Sequence, residues 1–411
     1  MSTEGFCKSA RSLTLLLAAL VLAEPVLAQH VFTILPRTTG EDENPVTFMR
    51  PHYAIHTAAG SSLSTPPSTA FTPSQIRHAY GFDQIANQGA GQVIGIVDAY
   101  DDPNAEADLA VFDAQFGLPA CTSANGCFRK VYSGAKPAMN SNWVLEMALD
   151  VEWAHAIAPK ATIVLVETPT NSLTNLLTGV DVAVRNGASA VSMSWTVAEF
   201  SGENSYDNHF TASGVTFFAA AGDSGTGVAY PAASPDVVGV GGTSLHLNPN
   251  GTYQSETAWS GSGGGLSNIE REPLFQAQFP IPDDPRGYRG APDVSYNADP
   301  GTGVAIYDSI GISGASGWFQ IGGTSAGTPQ WAALIAITNS TRAAARKANL
   351  PSADTNLYSI AKSSIATDFH AITSGTNGTC GALCTAMAGY DFVTGLGTPQ
   401  APALVPALAA R

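Results

Sequence analysis

Charge is what this sequence has least of. Only 12% of its 411 residues are charged, and 18 Lys and Arg face 33 Asp and Glu, for a formal net charge of -15. A chain so short of cations offers no basic patch for phosphates, which argues against nucleic acid as a partner. It suits a protein that works in acid, where carboxylates lose their charge. Cysteine is scarce too: there are five. Four of them form two close pairs, Cys121/Cys127 in "CTSANGC" and Cys380/Cys384 in "CGALC". No histidine accompanies either pair at zinc-like spacing, so two local disulfides are the simplest reading. Long apolar runs are missing beyond the first 28 residues, which leaves no further segment able to span a bilayer. Those first residues read as an export signal: Lys8 and Arg11, then "SLTLLLAALVLA", then cleavage after Ala28. The expectation is a secreted or periplasmic protein, free of the membrane once the signal is removed.

What is present is ample apolar material, 44% of the chain, enough for a large core. Residues 29–71 are polar and turn-rich and read as an arm or linker. From Thr72 to the end, strand-like runs alternate with amphipathic segments. The runs are "QVIGIVDAY" (92–100), "ATIVLVE" (161–167), "ASAVSMSW" (188–195), "GVTFFAAAG" (214–222) and "DVVGVGG" (236–242); helices are expected over 143–157, 173–186 and 325–341. Continuous apolar strands joined by helices indicate a single α/β domain with a parallel sheet buried on both faces.

Three stretches carry chemistry. In "IGGTSAGTPQWAALIA" (321–336), Gly322 and Gly323 permit a sharp turn and Ser325 then projects from the mouth of a helix. An N-cap serine is the ordinary alternative. In "NWVLEMALDVEWAHAIAPKA" (142–161), Glu146 and Asp150 share one face of a helix that is apolar nearly all round. Buried paired carboxylates are costly unless they share protons or hydrogen bonds. His155, nine residues after Glu146, points elsewhere and reads as structural or partly exposed. In "FFAAAGDSGTG" (217–227), a buried strand ends at Asp223, where an Asx turn is the plain reading.

Together with "ETAWSGSGGGLS" (256–267), "YPAASPDVVGVGGTSL" and "GYDFVTGLGTP" (389–399), these blocks resemble the sedolisin family of serine-carboxyl peptidases, in the family's order and over roughly residues 72–405. The resemblance implies a subtilisin-like fold, a twisted seven-stranded parallel sheet with helices on both faces. It implies Ser325 as nucleophile, Glu146 as general base, Asp150 as the group that orients Glu146, and Asp223 as a proton-bearing oxyanion donor. It implies that Gly263, Gly264 and Gly265 line the substrate cleft, with Trp195 and Glu199 nearby. A catalyst built from carboxyls, whose ordinary pKa is about 4, implies activity around pH 3–5 on peptide or protein substrates, by a monomer.

Two departures matter. Residues 29–71 are too few for the family's large propeptide. The family's calcium-binding "Phe-x-Asp-Ile-Thr" block is "FHAIT" here, so Ala371 stands where the aspartate belongs; Ile372, Gly389 and Asp391 remain as the rest of any calcium site. No cofactor is therefore expected, and the Cys380/Cys384 loop is expected to supply some of the bracing. The alternative from another class is a catalytically silent peptide- or surface-binding protein on the same fold. A glycosidase use of Glu146 and Asp150 is poor, since carboxyls one helical turn apart flank no sugar cleft.

Overall fold

The apolar runs become neighbours in one eight-stranded sheet. A computed structural model describes residues 48–56, 62–279, 281–282, 286–351 and 353–411; the stretch read as an export signal lies outside them. From one edge the strands run Tyr253–Ala258, Val238–Leu247, Thr216–Ala220, Ala190–Met193, Val93–Ala99, Thr162–Thr168 and Phe128–Tyr132, and Val294–Asn297 also pairs with Val238–Leu247. All pairings are parallel except that of the polar edge strand Tyr253–Ala258, which runs antiparallel. This is the expected parallel sheet with one antiparallel strand added. "YQSETA" has no apolar run, so nothing in its sequence marked it as a strand.

Strand alternation decides which side chains meet the site. In Val93–Ala99, a side chain added at Gly95 would strike Ala183, and one at Gly179 would strike Val97. Gly95 and Val97 therefore face the Leu173–Arg185 helix. Ile94, Ile96 and Asp98 face the opposite side, where helices Ser141–Ile157 and Thr328–Ala344 pack against the sheet and each other. The Ser141–Ile157 helix is started by Asn140, whose side chain accepts from the Asn142 N–H at 3.0 Å. Every residue from Trp143 to Ile157 in it is buried, its three acids Glu146, Asp150 and Glu152 included.

Two expectations shift. The helix expected over 325–341 is Thr328–Ala344, and Ser325 lies in a separate 3-10 turn, Thr324–Ala326, just before it. Pro329 at the true helix start explains the boundary, since its missing N–H costs nothing there. Part of the 29–71 stretch is also built into the fold: Arg50–Pro51 and Ala54–Ile55 are short strands. Both cysteine pairs are bonded, Cys121 to Cys127 and Cys380 to Cys384. Among the described residues no helix is long and apolar enough to cross a membrane.

Candidate active site

At the carboxyl ends of the parallel strands the chain gathers Glu146, Asp150, Ser325 and, from the end of its own strand, Asp98; all four are fully buried. Burial pushes Glu146 far above the usual carboxylate range, and the neighbouring Asp150, Asp98 and Asp223 add to the rise; the Ser325 hydroxyl beside it acts the other way. Burial likewise raises Asp150, with Asp98 contributing, while a hydrogen bond from Ser194 opposes. Asp98 is raised by burial. Three carboxyls this close and this dry cannot all be anions, so they share protons.

The hydrogen bonds differ in one respect from the expected relay. Among the described residues, neither Glu146 oxygen has a partner, nor does Asp150 Oδ2 or either Asp98 oxygen. Asp150 Oδ1 accepts instead from the Ser194 hydroxyl at 2.8 Å. The Ser194 carbonyl in turn accepts from the Ser325 hydroxyl at 3.3 Å. Ser194 thus joins nucleophile and Asp150 through its backbone and side chain.

Asp223 is held at one oxygen and free at the other. Its Oδ1 accepts from the Thr324 N–H and hydroxyl, both at 2.8 Å. The Thr324 hydroxyl oxygen also accepts from the Gly222 N–H at 3.1 Å. Oδ2 is buried without a partner. Burial raises Asp223 to about 6, against the pull of the two Thr324 bonds. Below that pH its free oxygen carries the proton and is a donor.

A pocket of about 290 Å3 opens beside Asp223, lined in part by Thr196, Gly222 and Gly263. The Gly263 N–H donates to the Gly222 carbonyl at 2.7 Å, and a side chain there would collide with the Ala221 carbonyl. Gly264 exchanges two 2.8 Å bonds with Gly227, and Gly265 begins the next strand at φ 141°. Gly263 and Gly264 permit backbone to approach backbone, and of the three Gly263 lines the pocket. Glu199 accepts from the Asn268 N–H at 3.1 Å and from the Ser267 hydroxyl, fixing the far end of that wall.

Trp195 is fully buried and its ring donates to the Val97 carbonyl at 2.8 Å, as a packing tryptophan does. His155 is structural, fully buried against the Pro119 carbonyl at 2.8 Å.

In the blocks that correspond to the family's calcium site, the remaining carboxylate is engaged within the protein. Both oxygens of Asp391 are occupied by donors: Oδ1 accepts from the Val393 and Thr394 N–H groups at 2.8 Å, and Oδ2 from the Thr394 hydroxyl at 2.8 Å and the Met387 N–H at 3.3 Å. Ala371 brings no side-chain oxygen, so Ile372 and Gly389 could offer backbone carbonyls alone. Just before the Cys380–Cys384 bridge, the Asn377 carbonyl accepts from the Thr226 N–H at 2.8 Å, and its side-chain amide donates to the Ser262 carbonyl at 2.8 Å. The one cluster of metal-type side chains among the described residues, Cys121, Cys127 and His155, is spent on a disulfide.

Comparison with known proteins gives the family. The subtilase family model matches residues 138–356. Kumamolisin of Bacillus sp. (strain MN-32) is 33% identical over 415 residues, covering 90% of this chain and 69% of that protein. The chain belongs to the sedolisin family. Sedolisin of Pseudomonas sp. (strain 101) is 27% identical, covering 83% of this chain and 62% of that protein. The solved structure of Pseudomonas sedolisin complexed with two molecules of pseudo-iodotyrostatin aligns with a TM-score of 0.71 at 24% identity, over 85% of this chain and all of that one, which shows the shared subtilisin-like fold. As a sedolisin-family chain, this protein is a serine-type peptidase of the serine-carboxyl kind.

Three participants were not singled out by sequence. Asp98 ends a buried strand in "GIVDAY", and a carboxylate at a parallel strand's carboxyl end was the available signal. Ser194 and Thr324 gave none, because a serine at a strand's end and a threonine beside glycine are ordinary.

Proposed function

We propose that this chain is a secreted, acid-acting endopeptidase in which Ser325 is the nucleophile. Glu146 takes the hydroxyl proton as the Ser325 oxygen bonds to the scissile carbonyl carbon. Asp150 and Asp98, with Ser194, hold the negative charge and proton that Glu146 needs. The developing oxyanion receives the Ser325 N–H and the proton on Asp223 Oδ2. Collapse breaks the C–N bond, Glu146 returns its proton to the departing amine, and water then hydrolyses the ester by the same route. The protein acts as a monomer and needs no calcium.

The observation that carries this reading is the asymmetry of Asp223, whose one oxygen is tied to Thr324 while the other is bare and buried beside the nucleophile's turn. Such a group serves only while protonated, which sets the working range on the acid side of about 6. The test is a peptide library incubated at pH 4 with purified protein and with Ser325→Ala. Cleavage by the wild type alone is expected; equal cleavage by both, or by neither, would leave a peptide-binding protein on a peptidase fold.

A further inference from the structure

Residues 48–56, "FMRPHYAIH", lie extended between two strand edges. Arg50 and Pro51 pair antiparallel with Thr196 and Trp195. Ala54 and Ile55 pair antiparallel with Gly322 and Ile321, and the His56 N–H donates to the Gln320 carbonyl at 2.9 Å. Extended chain added to strand edges by main-chain bonds is how clefts take peptide ligands. The Ser325 N–H donates to the His52 carbonyl at 3.2 Å. A side chain at Gly323 would collide with both that carbonyl oxygen and the bare Asp223 Oδ2, so the two oxygens are neighbours. The His52 carbonyl thus occupies the position an oxyanion would take. This sets the register: Met49 is the fourth residue, counted back from that carbonyl.

One residue grips both main-chain groups at that fourth position. The Met49 N–H donates to the Asn171 carbonyl at 2.9 Å, and the Met49 carbonyl accepts from the Asn171 side-chain amide at 2.8 Å. Asn171 is buried, just ahead of the helix Leu173–Arg185 that Ser172 caps. The Tyr100 hydroxyl donates to Asn171 Oδ1 at 3.0 Å. That bond settles the amide's orientation: its oxygen faces Tyr100 and its NH2 faces the peptide carbonyl. Tyr100 itself stands at φ 70°, a left-handed conformation uncommon for a tyrosine and one that packing must hold. Its ring lies 6.3 Å from that of Trp143. The Met49 side chain is fully buried in the main core, so the position takes an apolar group out of water. Phe48 bridges Ser172 antiparallel one step further out.

We infer that Asn171, oriented by Tyr100, is a specificity-determining residue: a clamp for the fourth residue upstream of the scissile bond, selecting an apolar side chain there. The inference rests on the proposed function. The clamp offers one acceptor and one neutral donor, matched to a peptide N–H and C=O. It offers no carboxylate for a charged amine. A substrate that runs on past its third upstream residue is therefore held better than one that begins there. The enzyme cuts within chains instead of releasing tripeptides from a free amino end.

The experiment measures kcat/KM at pH 4 on nested peptides with one cleavage site, products read by mass. Three peptides are compared: three residues ahead of the bond with a free amine, the same three acetylated, and four with Met fourth. The acetyl group supplies the carbonyl that the Asn171 amide reads, so acetylation should raise kcat/KM several-fold; a tripeptide-releasing enzyme would lose activity on it. The acetylated fourth Met should bring the gain to about tenfold or more, chiefly through KM. Asp in its place, or N-methylation of its amide, should remove most of that gain. In Asn171→Ala both ratios should fall to near one, and in Tyr100→Phe part-way, because the amide is freed to turn. Ratios within one variant do not depend on how much of it folds. Equal rates on all three peptides, ratios unchanged in Asn171→Ala, or cleavage confined to the free amine overturns the inference alone. No cleavage of any peptide, or equal cleavage by Ser325→Ala, overturns the proposed function and takes the inference with it.

Discussion

Replacing Asp223 with Asn separates its two roles. The Thr324 N–H and hydroxyl both donate to Oδ1, and an amide oxygen accepts them equally well. Those bonds fix the amide's orientation and send its NH2 to the site of Oδ2, as a donor at every pH. In the wild type the donor exists only while Asp223 is protonated, below about 6. At pH 8, two units higher, roughly one molecule in a hundred keeps that proton. A missing oxyanion donor costs about 10²–10³ in kcat, or about 3–4 kcal/mol. Below pH 5, D223N should therefore fall within about tenfold of wild type, whereas D223A should lose the full 10²–10³. Above pH 6 the wild-type rate should fall and that of D223N should not, so the two curves cross. The assay is kcat/KM on one peptide from pH 3 to 8. Ionisation of Glu146 makes it a better base as pH rises, so it does not mimic this limb. If D223N loses activity through pH 6 in step with wild type, Asp223 is not the proton-bearing donor and the electrostatic argument fails.

The other predictions concern the remaining carboxyls and the bracing loops. Asp98→Asn removes a charge that raises Glu146 and Asp150, so the acid limb of the pH–rate profile should move to lower pH; an unmoved limb would separate Asp98 from the relay. Asp223 also links pH to stability. Its folded pKa is raised from 3.8 to about 6, so its stabilisation is complete below about 4 and lost as pH rises through 6, by about 3 kcal/mol. Melting curves at pH 4 and pH 8 should show that loss in wild type and a smaller one, by about that amount, in D223N. EDTA should leave Tm unchanged, because Asp391 is satisfied by N–H and O–H donors, while reductant should cost roughly 2 kcal/mol per bridge; a large chelator effect without a reductant effect would restore the calcium site.

The sequence disclosed what depends on local pattern. Runs such as "ATIVLVE" are apolar on both faces, and only a doubly covered strand suits them. Glu146 and Asp150 stood out because their helix offers acids no water. Asp98 did not, because its place opposite that helix depends on strand register across residues far apart in the chain. Ser194 and Thr324 act through backbone as much as side chain, and composition does not encode that. Residues 48–56 were read as linker for the same reason: "RPHYAI" has no period, and its order comes from the edges it joins.

Those edges have a consequence for what the enzyme digests. A strand partner must be chain already pulled free of its own fold, since a helix or an interior strand has its amides engaged elsewhere. The attack rate on a native protein would then follow how often that protein opens, more than which residues it contains. Under the proposed acid activity, low pH, which discharges carboxylates and loosens most globular targets, would ready the meal and the cutter together.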